Sequence, residues 1–263
     1  MSERAAAVAA DVHLAREGPV AFVTLANPTR LNAMTRAMWL RLRAVFEELN
    51  TDDALRAVVL RGAGGSFCAG GDISEYPSFR FDAAQLRTFH ENEVWGALQA
   101  VLDCPVPLVA QIEGACMGAG VEIASCCDIR LAGSTSRFGA PIARLGFPMA
   151  PREAALVQRA VGDALARDML LAAGVHAAQR LLEGGFLLQV LPDADVAAAA
   201  AAHAARIAAL APQAARANKA TFKALAAGAR AGDLVAAAYD YADTPEHREG
   251  VASFLDKRAP QFQ

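Results

Sequence analysis

An α/β fold is predicted for this chain of 263 residues, because short apolar strands alternate with longer amphipathic helices along much of its length. The strand-like runs are 20–25, 57–61, 108–112 and 129–132. Glycine or proline follows each run within three residues and marks the end of the strand. The repeated order of strand, loop and helix favours parallel βαβ-type units.

The helices between these strands are predicted from apolar spacing and from end signals. Thr35 is placed to cap a helix whose apolar residues recur every three or four positions. Those residues are Met38, Leu42, Val45, Phe46 and Leu49. A longer helical stretch is predicted from about Asp82 to Leu102 and ends before Pro105. A short apolar helix at 118–126 follows the strand at 108–112.

The chain becomes mostly helical after Pro151, and its composition changes again after Pro192. Helices are predicted at 151–161, 164–173, 176–183, 194–209, 213–227, 232–240 and 246–255, with a short strand at 186–191. Residues 197–202 are all alanine, which favours helix but buries little surface per residue. We therefore expect the final helices to pack on a larger body or on another subunit, and we divide the chain into 1–192 and 193–263.

Composition narrows the functional classes. The chain is 54% hydrophobic and 20% charged with a formal net charge of −3, which is an ordinary soluble balance. It has no basic block, so a nucleic-acid partner is disfavoured, and no apolar run long enough for a membrane span. The alanine-rich segment 1–11 fits neither a secretory signal nor a transit peptide, so the expected location is the cytoplasm.

Cysteine and histidine spacing predicts neither disulfides nor a metal site. The five cysteines lack a C-x-x-C pair, and we expect buried free thiols in a reducing compartment. The run from His90 to Glu93 lacks the second histidine of a zinc-binding helix. His90 and His176 are therefore interpreted as core or surface residues.

The segment from Glu113 to Asp128 is the most informative about function. It follows an apolar strand and places Gly118 and Gly120 at the start of an apolar helix. The first N–H groups of a helix have no partner within the helix, and its dipole makes that end partially positive. A developing oxyanion there would be stabilised, and Glu122 adds a carboxyl group one turn into the same helix.

A second loop of the same kind follows the strand 57–61. Residues 62–65 are Gly-Ala-Gly-Gly, and the segment 67–73 reads Phe-Cys-Ala-Gly-Gly-Asp-Ile. Glycines in this loop allow the backbone to come close to a ligand. Two such loops after neighbouring strands predict an oxyanion hole with two backbone donors.

These two segments, together with 27–33, 137–141 and 254–260, resemble the crotonase family, the enoyl-CoA hydratase/isomerase superfamily. They occur in the family's order and spacing across almost the whole chain. The resemblance implies a crotonase-type spiral of ββα units with a C-terminal helical oligomerisation region. It also implies an acyl-CoA substrate, a homotrimer or a dimer of trimers, and no cofactor, because coenzyme A is part of the substrate.

The resemblance assigns the catalytic groups residue by residue. The two backbone donors match Ala69 and Ala119, and Glu122 matches one of two glutamates that handle water and the α-proton. The other glutamate should follow Pro141, where this chain has Ile142. Substitutes near in sequence are Glu153, Arg144 and Tyr76.

The resemblance also implies a binding site for coenzyme A. The backbone of Ala69, Gly70, Gly71, Asp72 and Ile73 would bind its adenine and pantetheine. Basic side chains suited to its phosphates are those of Arg30 and Lys257, with Arg258 as a further candidate. Phe254 is placed to cover the adenine or, alternatively, to pack in a trimer interface. Asp128 is interpreted as structural.

Three functions remain open from the sequence. The first is syn hydration of a 2-enoyl-CoA or the reverse dehydration. The second is another crotonase-type reaction, such as isomerisation or decarboxylation, because Ile142 replaces the second glutamate. The third is non-catalytic acyl-CoA binding by an oligomer. If the missing carboxyl group limits hydration, Ile142→Glu should raise it.

Overall fold

The computed structural model describes residues 10–262 and contains two β-sheets and a set of helices. The prediction that segment 1–11 is neither a secretory signal nor a transit peptide mainly concerns residues 1–9, which lie outside the described residues. The strands are β1 (Asp11–Glu17), β2 (Val20–Ala26), β3 (Ala57–Gly62), β4 (Leu108–Ile112), β5 (Ala115–Met117), β6 (Ile129–Gly133), β7 (Arg137–Gly139), β8 (Val175–Ala177) and β9 (Gln189–Leu191).

The larger sheet has the strand order β1-β2-β3-β4-β6-β9. Strand β1 pairs antiparallel with β2, and the remaining pairs are parallel. All five residues of β4 are buried, as expected for a parallel strand covered on both faces. The α/β fold predicted from strand and helix alternation is confirmed.

The α-helices follow the predicted positions closely. They are α1 (Arg36–Leu49), α2 (Ala83–Thr88), α3 (Trp95–Leu102), α4 (Ala119–Ser125), α5 (Pro151–Val161), α6 (Asp163–Leu171), α7 (Ala178–Glu183), α8 (Val196–Ala208), α9 (Pro212–Ala226) and α10 (Pro245–Leu255). Thr35 caps α1, because its side chain accepts a hydrogen bond from the Met38 N–H at 3.2 Å. All five apolar residues predicted to face the core from α1 are buried.

A π-helical turn, Phe89–Val94, connects α2 to α3. The predicted helix from Asp82 to Leu102 is therefore continuous, but its middle turn has one extra residue per hydrogen-bonded ring. The predicted helix at 232–240 is instead a 3-10 turn at Ala231–Ala237. Apolar spacing does not distinguish these turn types, because their periods differ by a fraction of a residue.

The smaller sheet, β5-β7-β8, lies next to the loop that follows β3. Cys68 in that loop forms a parallel bridge with Cys116 of β5, and the Cys68 N–H donates to the Ala115 carbonyl at 2.8 Å. These three-residue strands were not predicted, because such runs are too short to show a period. They hold the two glycine-containing loops against each other.

Helix α8 covers the outer face of the larger sheet. Its buried residues Ala200 and Ala204 pack with Phe22, Val59 and Val109 in a second apolar cluster. The expectation that an alanine-rich helix packs on a larger body is confirmed for α8. The boundary proposed at residue 192 therefore does not coincide with a gap in packing, and the division into two regions stays a prediction.

Within residues 10–262, no single helix is long and apolar enough to span a membrane; α8 and α9 reach that length and composition only as a pair bent by 107°.

Candidate active site

A cavity of about 210 Å³ lies where the two glycine-containing loops meet the first turns of α4 and α5. Residues 69–71 and 117–119 line it, and so do Glu122 and Glu153. The rest of its wall is mainly apolar. Two loops that are 46 residues or more apart in sequence thus contribute backbone to one site, as the sequence predicted.

Helix α4 begins at Gly118, whose backbone has φ 49° and ψ −110°. This combination is open to glycine and strongly disfavoured for other residues. Ala119 is the first residue of the helix, and its N–H has no acceptor within residues 10–262. The prediction that Ala119 presents a backbone donor to the cavity is therefore compatible with the geometry.

The loop after β3 differs from the prediction at Ala69. Its N–H donates to the Leu31 carbonyl at 2.9 Å, so this group is occupied and the matched donor position is wrong. The nearby Gly71 N–H has no acceptor among the described residues. On either side of it, the Gly70 carbonyl accepts from the Met34 N–H and the Asp72 N–H donates to the Met34 carbonyl, both at 2.8 Å. Gly71 is thus held in place with its N–H group free, and it replaces Ala69 as the candidate backbone donor of the oxyanion hole.

Glu122 is only 8% exposed and lies in the first turn of α4. Burial raises the pKa of its carboxyl group well above the usual range, and the negative charge of Glu153 raises it further. No protein hydrogen bond to this carboxyl group counteracts the two effects within the described chain. Both effects favour the protonated form of Glu122.

Glu153 is 2% exposed and lies in the first turn of α5, next to α4. Its two carboxyl oxygens are 3.0 Å and 3.2 Å from Nδ1 of His90. His90, interpreted from the sequence as a core or surface residue, lines the cavity and contacts this carboxyl group. The π-helical turn that contains His90 has no recognisable sequence signal, so the sequence alone could not place this side chain.

Arg80 indicates which nitrogen of His90 carries the proton. Its Nη1 lies 3.5 Å from Nε2 of His90. A guanidinium can only donate, so Nε2 must accept and the proton must be on Nδ1, where it is donated to Glu153. Arg80, His90 and Glu153 therefore form a chain of contacts that orients the Glu153 carboxyl group.

The other proposed substitutes for the second glutamate differ in position. Tyr76 lines the cavity, and burial raises the pKa of its hydroxyl group. Ile142 also lines it, in the 3-10 turn Ile142–Leu145. Arg144 belongs to the same turn but is exposed, outside the cavity lining, with its guanidinium 3.5 Å from the Ala173 carbonyl. Of these candidates, Glu153 alone brings a second carboxyl group to the site.

The residues assigned to coenzyme A are only partly brought together. Gly70, Gly71 and Ile73 line the cavity. Asp72 instead caps the following 3-10 turn by accepting from the Ser74 N–H at 3.0 Å. Arg30 is exposed on the 3-10 turn Pro28–Arg30.

The C-terminal candidates lie away from this cavity in a single chain. Phe254 is 83% exposed near the end of α10, and Lys257 follows that helix. Arg258 is paired with Glu249, with Nη1 2.6 Å from Oε1, so its charge is already used. Phe254 borders a second, open cavity of about 1570 Å³ among the C-terminal helices.

The remaining sequence predictions concern residues outside the site. Asp128 is structural as expected, because its Oδ2 accepts from the Leu108 N–H and from Lys219 Nζ, both at 2.7 Å. His176 lies outside the cavity, with Nε2 2.9 Å from Oδ2 of Asp168.

All five cysteines are buried free thiols, and burial raises the pKa of Cys68 to about 12, so it stays protonated. Within residues 10–262, no group of three His, Cys, Asp or Glu side chains is arranged to hold a metal ion.

Comparison with protein families defines the class of protein. The family model described as enoyl-CoA hydratase/isomerase matches residues 15–263. The chain therefore belongs to the enoyl-CoA hydratase/isomerase family, the crotonase superfamily, and is an enoyl-CoA hydratase-like enzyme.

Individual relatives agree along nearly their whole length. A probable enoyl-CoA hydratase of Mycobacterium bovis is 31% identical over 250 residues, which cover 94% of this chain and 95% of the relative. The 2,3-dehydroadipyl-CoA hydratase of Escherichia coli is 30% identical over 259 residues, covering 95% and 97%. A solved structure of an enoyl-CoA hydratase/carnitine racemase from Magnetospirillum magneticum superposes with a TM-score of 0.91 at 38% identity, covering 96% and 95%.

Proposed function

We propose that the protein adds water to a 2-enoyl-CoA thioester, with Glu122 and Glu153 sharing the proton transfers. The observation that carries this proposal is the pair of buried carboxyl groups in the first turns of α4 and α5, lining one cavity. Two backbone donors, Gly71 and Ala119, border the same cavity. A non-catalytic binding protein has no need of two buried carboxyl groups there.

The backbone donors bind the thioester oxygen. As water attacks the β-carbon, the electrons of the C=C bond move toward the thioester and its oxygen becomes an enolate oxyanion. The N–H groups of Gly71 and Ala119 and the positive end of α4 stabilise that charge. Because both donors are part of rigidly held backbone, little reorganisation is needed as the charge develops.

The two carboxyl groups divide the proton transfers. Glu153, oriented by His90, accepts a proton from the attacking water as the C–O bond forms. Glu122, protonated because burial raises its pKa, donates its proton to the α-carbon of the enolate. The cycle closes when one proton returns from Glu153 to Glu122. The same groups run dehydration in reverse, and Glu153 thus takes the role that a carboxyl group at position 142 would have.

Steady-state hydration of crotonyl-CoA and longer 2-enoyl-CoA esters tests this proposal through loss of the conjugated thioester absorbance. Glu122→Gln and Glu153→Gln should each lower kcat by ~10²–10⁴-fold, the usual contribution of a general acid or base. Glu47→Gln, on the exposed face of α1, is the matched control and should be neutral. Conversion of a 3-enoyl-CoA to its 2-enoyl isomer without hydration would instead indicate an isomerase.

His90 provides an independent test of the role of Glu153. His90→Leu removes the donor and should lower kcat by about tenfold to hundredfold, since hydrogen bonds to charged groups contribute about 1.5–3 kcal/mol. His90→Asn can place an amide N–H near the former Nδ1 position and should recover part of the loss. Equal kcat values in both variants would exclude a positioning role.

We also propose that coenzyme A is bound by the backbone of 69–73 with help from Arg30, Phe254 and Lys257, and that the protein is a homotrimer or dimer of trimers in the cytoplasm. Support comes from the exposed aromatic and aliphatic side chains of the C-terminal helices, with Phe222, Phe254 and Leu255 at 70%, 83% and 72% exposure. Exposed apolar surface of this extent usually marks an interface. Sedimentation velocity tests it, and a stable monomer at micromolar concentration would contradict it.

A further inference from the structure

Arg80 is a cation inside the otherwise apolar part of the cavity. It follows the 3-10 turn Ile73–Ser78, is half-buried, and lines the cavity together with Phe147, Phe89 and Ile142. Burial lowers the pKa of the guanidinium, although a guanidinium stays charged at neutral pH. A buried cation normally has an anionic partner, because taking it out of water is costly.

Two aromatic rings pack against the Arg80 guanidinium, and most of its N–H donors have no partner among the described residues. The guanidinium carbon lies 3.6 Å from the ring centroid of Phe147 and 4.6 Å from that of Tyr76. Such stacking uses the flat faces, whereas the N–H donors point outward in the plane. The contact between Nη1 and Nε2 of His90 at 3.5 Å is the one hydrogen-bond contact of the guanidinium with a side chain within residues 10–262.

Arg80 also lacks a carboxylate partner, unlike two arginines nearby. Arg36 is paired with Glu93, and the Nε of Arg152 lies 3.5 Å from Oε2 of Glu91. No carboxylate of the described residues lies within 4.0 Å of the Arg80 guanidinium. Glu153 contacts the other nitrogen of the same imidazole ring, Nδ1 of His90.

We propose that Arg80 binds a carboxylate at the far end of the acyl chain, so that the substrates are CoA thioesters of unsaturated dicarboxylic acids. This inference rests on the proposed function for the location of the acyl chain in this cavity. A carboxylate matches the planar fork of donors and can accept two hydrogen bonds side by side. The aromatic rings beside Arg80 limit the access of water that would otherwise weaken the pair, and the Glu153 carboxyl group is turned toward His90.

Binding of saturated thioesters tests the inference without any turnover. Isothermal titration should show that adipyl-CoA binds wild-type protein about tenfold to hundredfold more tightly than hexanoyl-CoA, the effect expected of a charged hydrogen bond. Arg80→Gln should abolish this preference, and Arg80→Lys should retain part of it. Arg87→Gln, an exposed change on α2, should leave it intact.

Turnover gives the second measurement. The kcat/KM ratio between the enoyl thioester with a terminal carboxylate and the uncharged enoyl thioester of equal length should fall by the same factor in Arg80→Gln. Using the ratio removes any effect of Arg80 on His90, since that effect is common to both substrates. Free CoA affinity should be unchanged, which excludes a role for Arg80 at the CoA phosphates.

Equal affinity of the wild-type protein for the two saturated thioesters would overturn the inference, as would an equal loss for both in a folded Arg80→Gln variant. The second result would mean that Arg80 only orients His90. If adipyl-CoA is preferred through Arg80 but neither enoyl thioester is hydrated, the inference stands and the proposed hydration is wrong. Circular dichroism and thermal melting confirm that each variant is folded.

Discussion

The first turns of α4 and α5 each carry a buried glutamate, yet their surroundings are opposite. Glu122 lines the cavity with no protein donor for its carboxyl oxygens among the described residues, so burial raises its pKa and favours its protonated form. Glu153 is at least as buried but accepts from His90, which is in turn contacted by Arg80. Two identical side chains in similar helical positions therefore provide an acid and a base, because their hydrogen-bond partners differ.

The largest expected effect separates these two roles. Glu122 is the group proposed to contact the α-carbon, so Glu122→Gln should slow exchange of the α-protons of butyryl-CoA in D₂O by ~10²–10⁴-fold. Glu153→Gln should slow this exchange far less, although it lowers hydration. Proton NMR of the thioester follows the exchange. If α-proton exchange were lost only in Glu153→Gln, Glu153 would be the group at the α-carbon and Glu122 the group that activates water.

The next expected effect concerns the backbone donors beside Glu122. Ala119→Pro removes one N–H at the first position of α4, where proline is well tolerated, and should lower kcat/KM by ~10²–10³-fold. Ala69→Pro removes an N–H that is bonded to Leu31, so it should mainly lower the free energy of unfolding, by about 1–3 kcal/mol. Enzyme kinetics and urea unfolding of both variants test this contrast. Loss of turnover in a fully stable Ala69→Pro protein would restore Ala69 as the donor.

Stability should distinguish the two glutamates in a different way. The pKa of Glu122 is higher in the folded than in the unfolded protein, so its ionisation in the folded state is unfavourable. The stability associated with its protonated form is complete below the unfolded pKa and is lost as pH rises through the folded pKa. Glu122→Gln should therefore be increasingly more stable than wild type as pH rises, whereas Glu153→Gln, which loses the His90 contact, should be less stable at neutral pH. Urea unfolding across pH measures both, and a pH-independent difference for Glu122→Gln would contradict the assignment.

The smallest expected effect is at Ile142. The sequence alone predicts that Ile142→Glu raises hydration. With two carboxyl groups already present, a third would add a charge to an apolar part of the cavity, and we expect a modest loss of both activity and stability. Ile142→Leu is the volume-matched control. Faster hydration by a stable Ile142→Glu protein would show that Glu153 is a poor substitute.

Local sequence signals predicted much of the fold. The buried strand β4, the Thr35 cap of α1 and the start of α4 at Gly118 depend on residues within a few positions of one another. The same holds for Glu122, whose place in the first turn of α4 follows from its distance to Gly118. Short strands such as β5 were missed, because three residues show no period.

Contacts between distant segments decided the rest of the site. The sequence by itself determined the α/β class, the two glycine-containing loops and the acidic group on α4, since each depends on local backbone preferences. Only the tertiary structure decided that Ala69 gives its N–H to Leu31, that Gly71 keeps its own free, and that His90 reaches Glu153 while Arg80 contacts His90. These hydrogen bonds join residues up to 63 positions apart, and which donors remain free after such pairing depends on packing that no local pattern encodes.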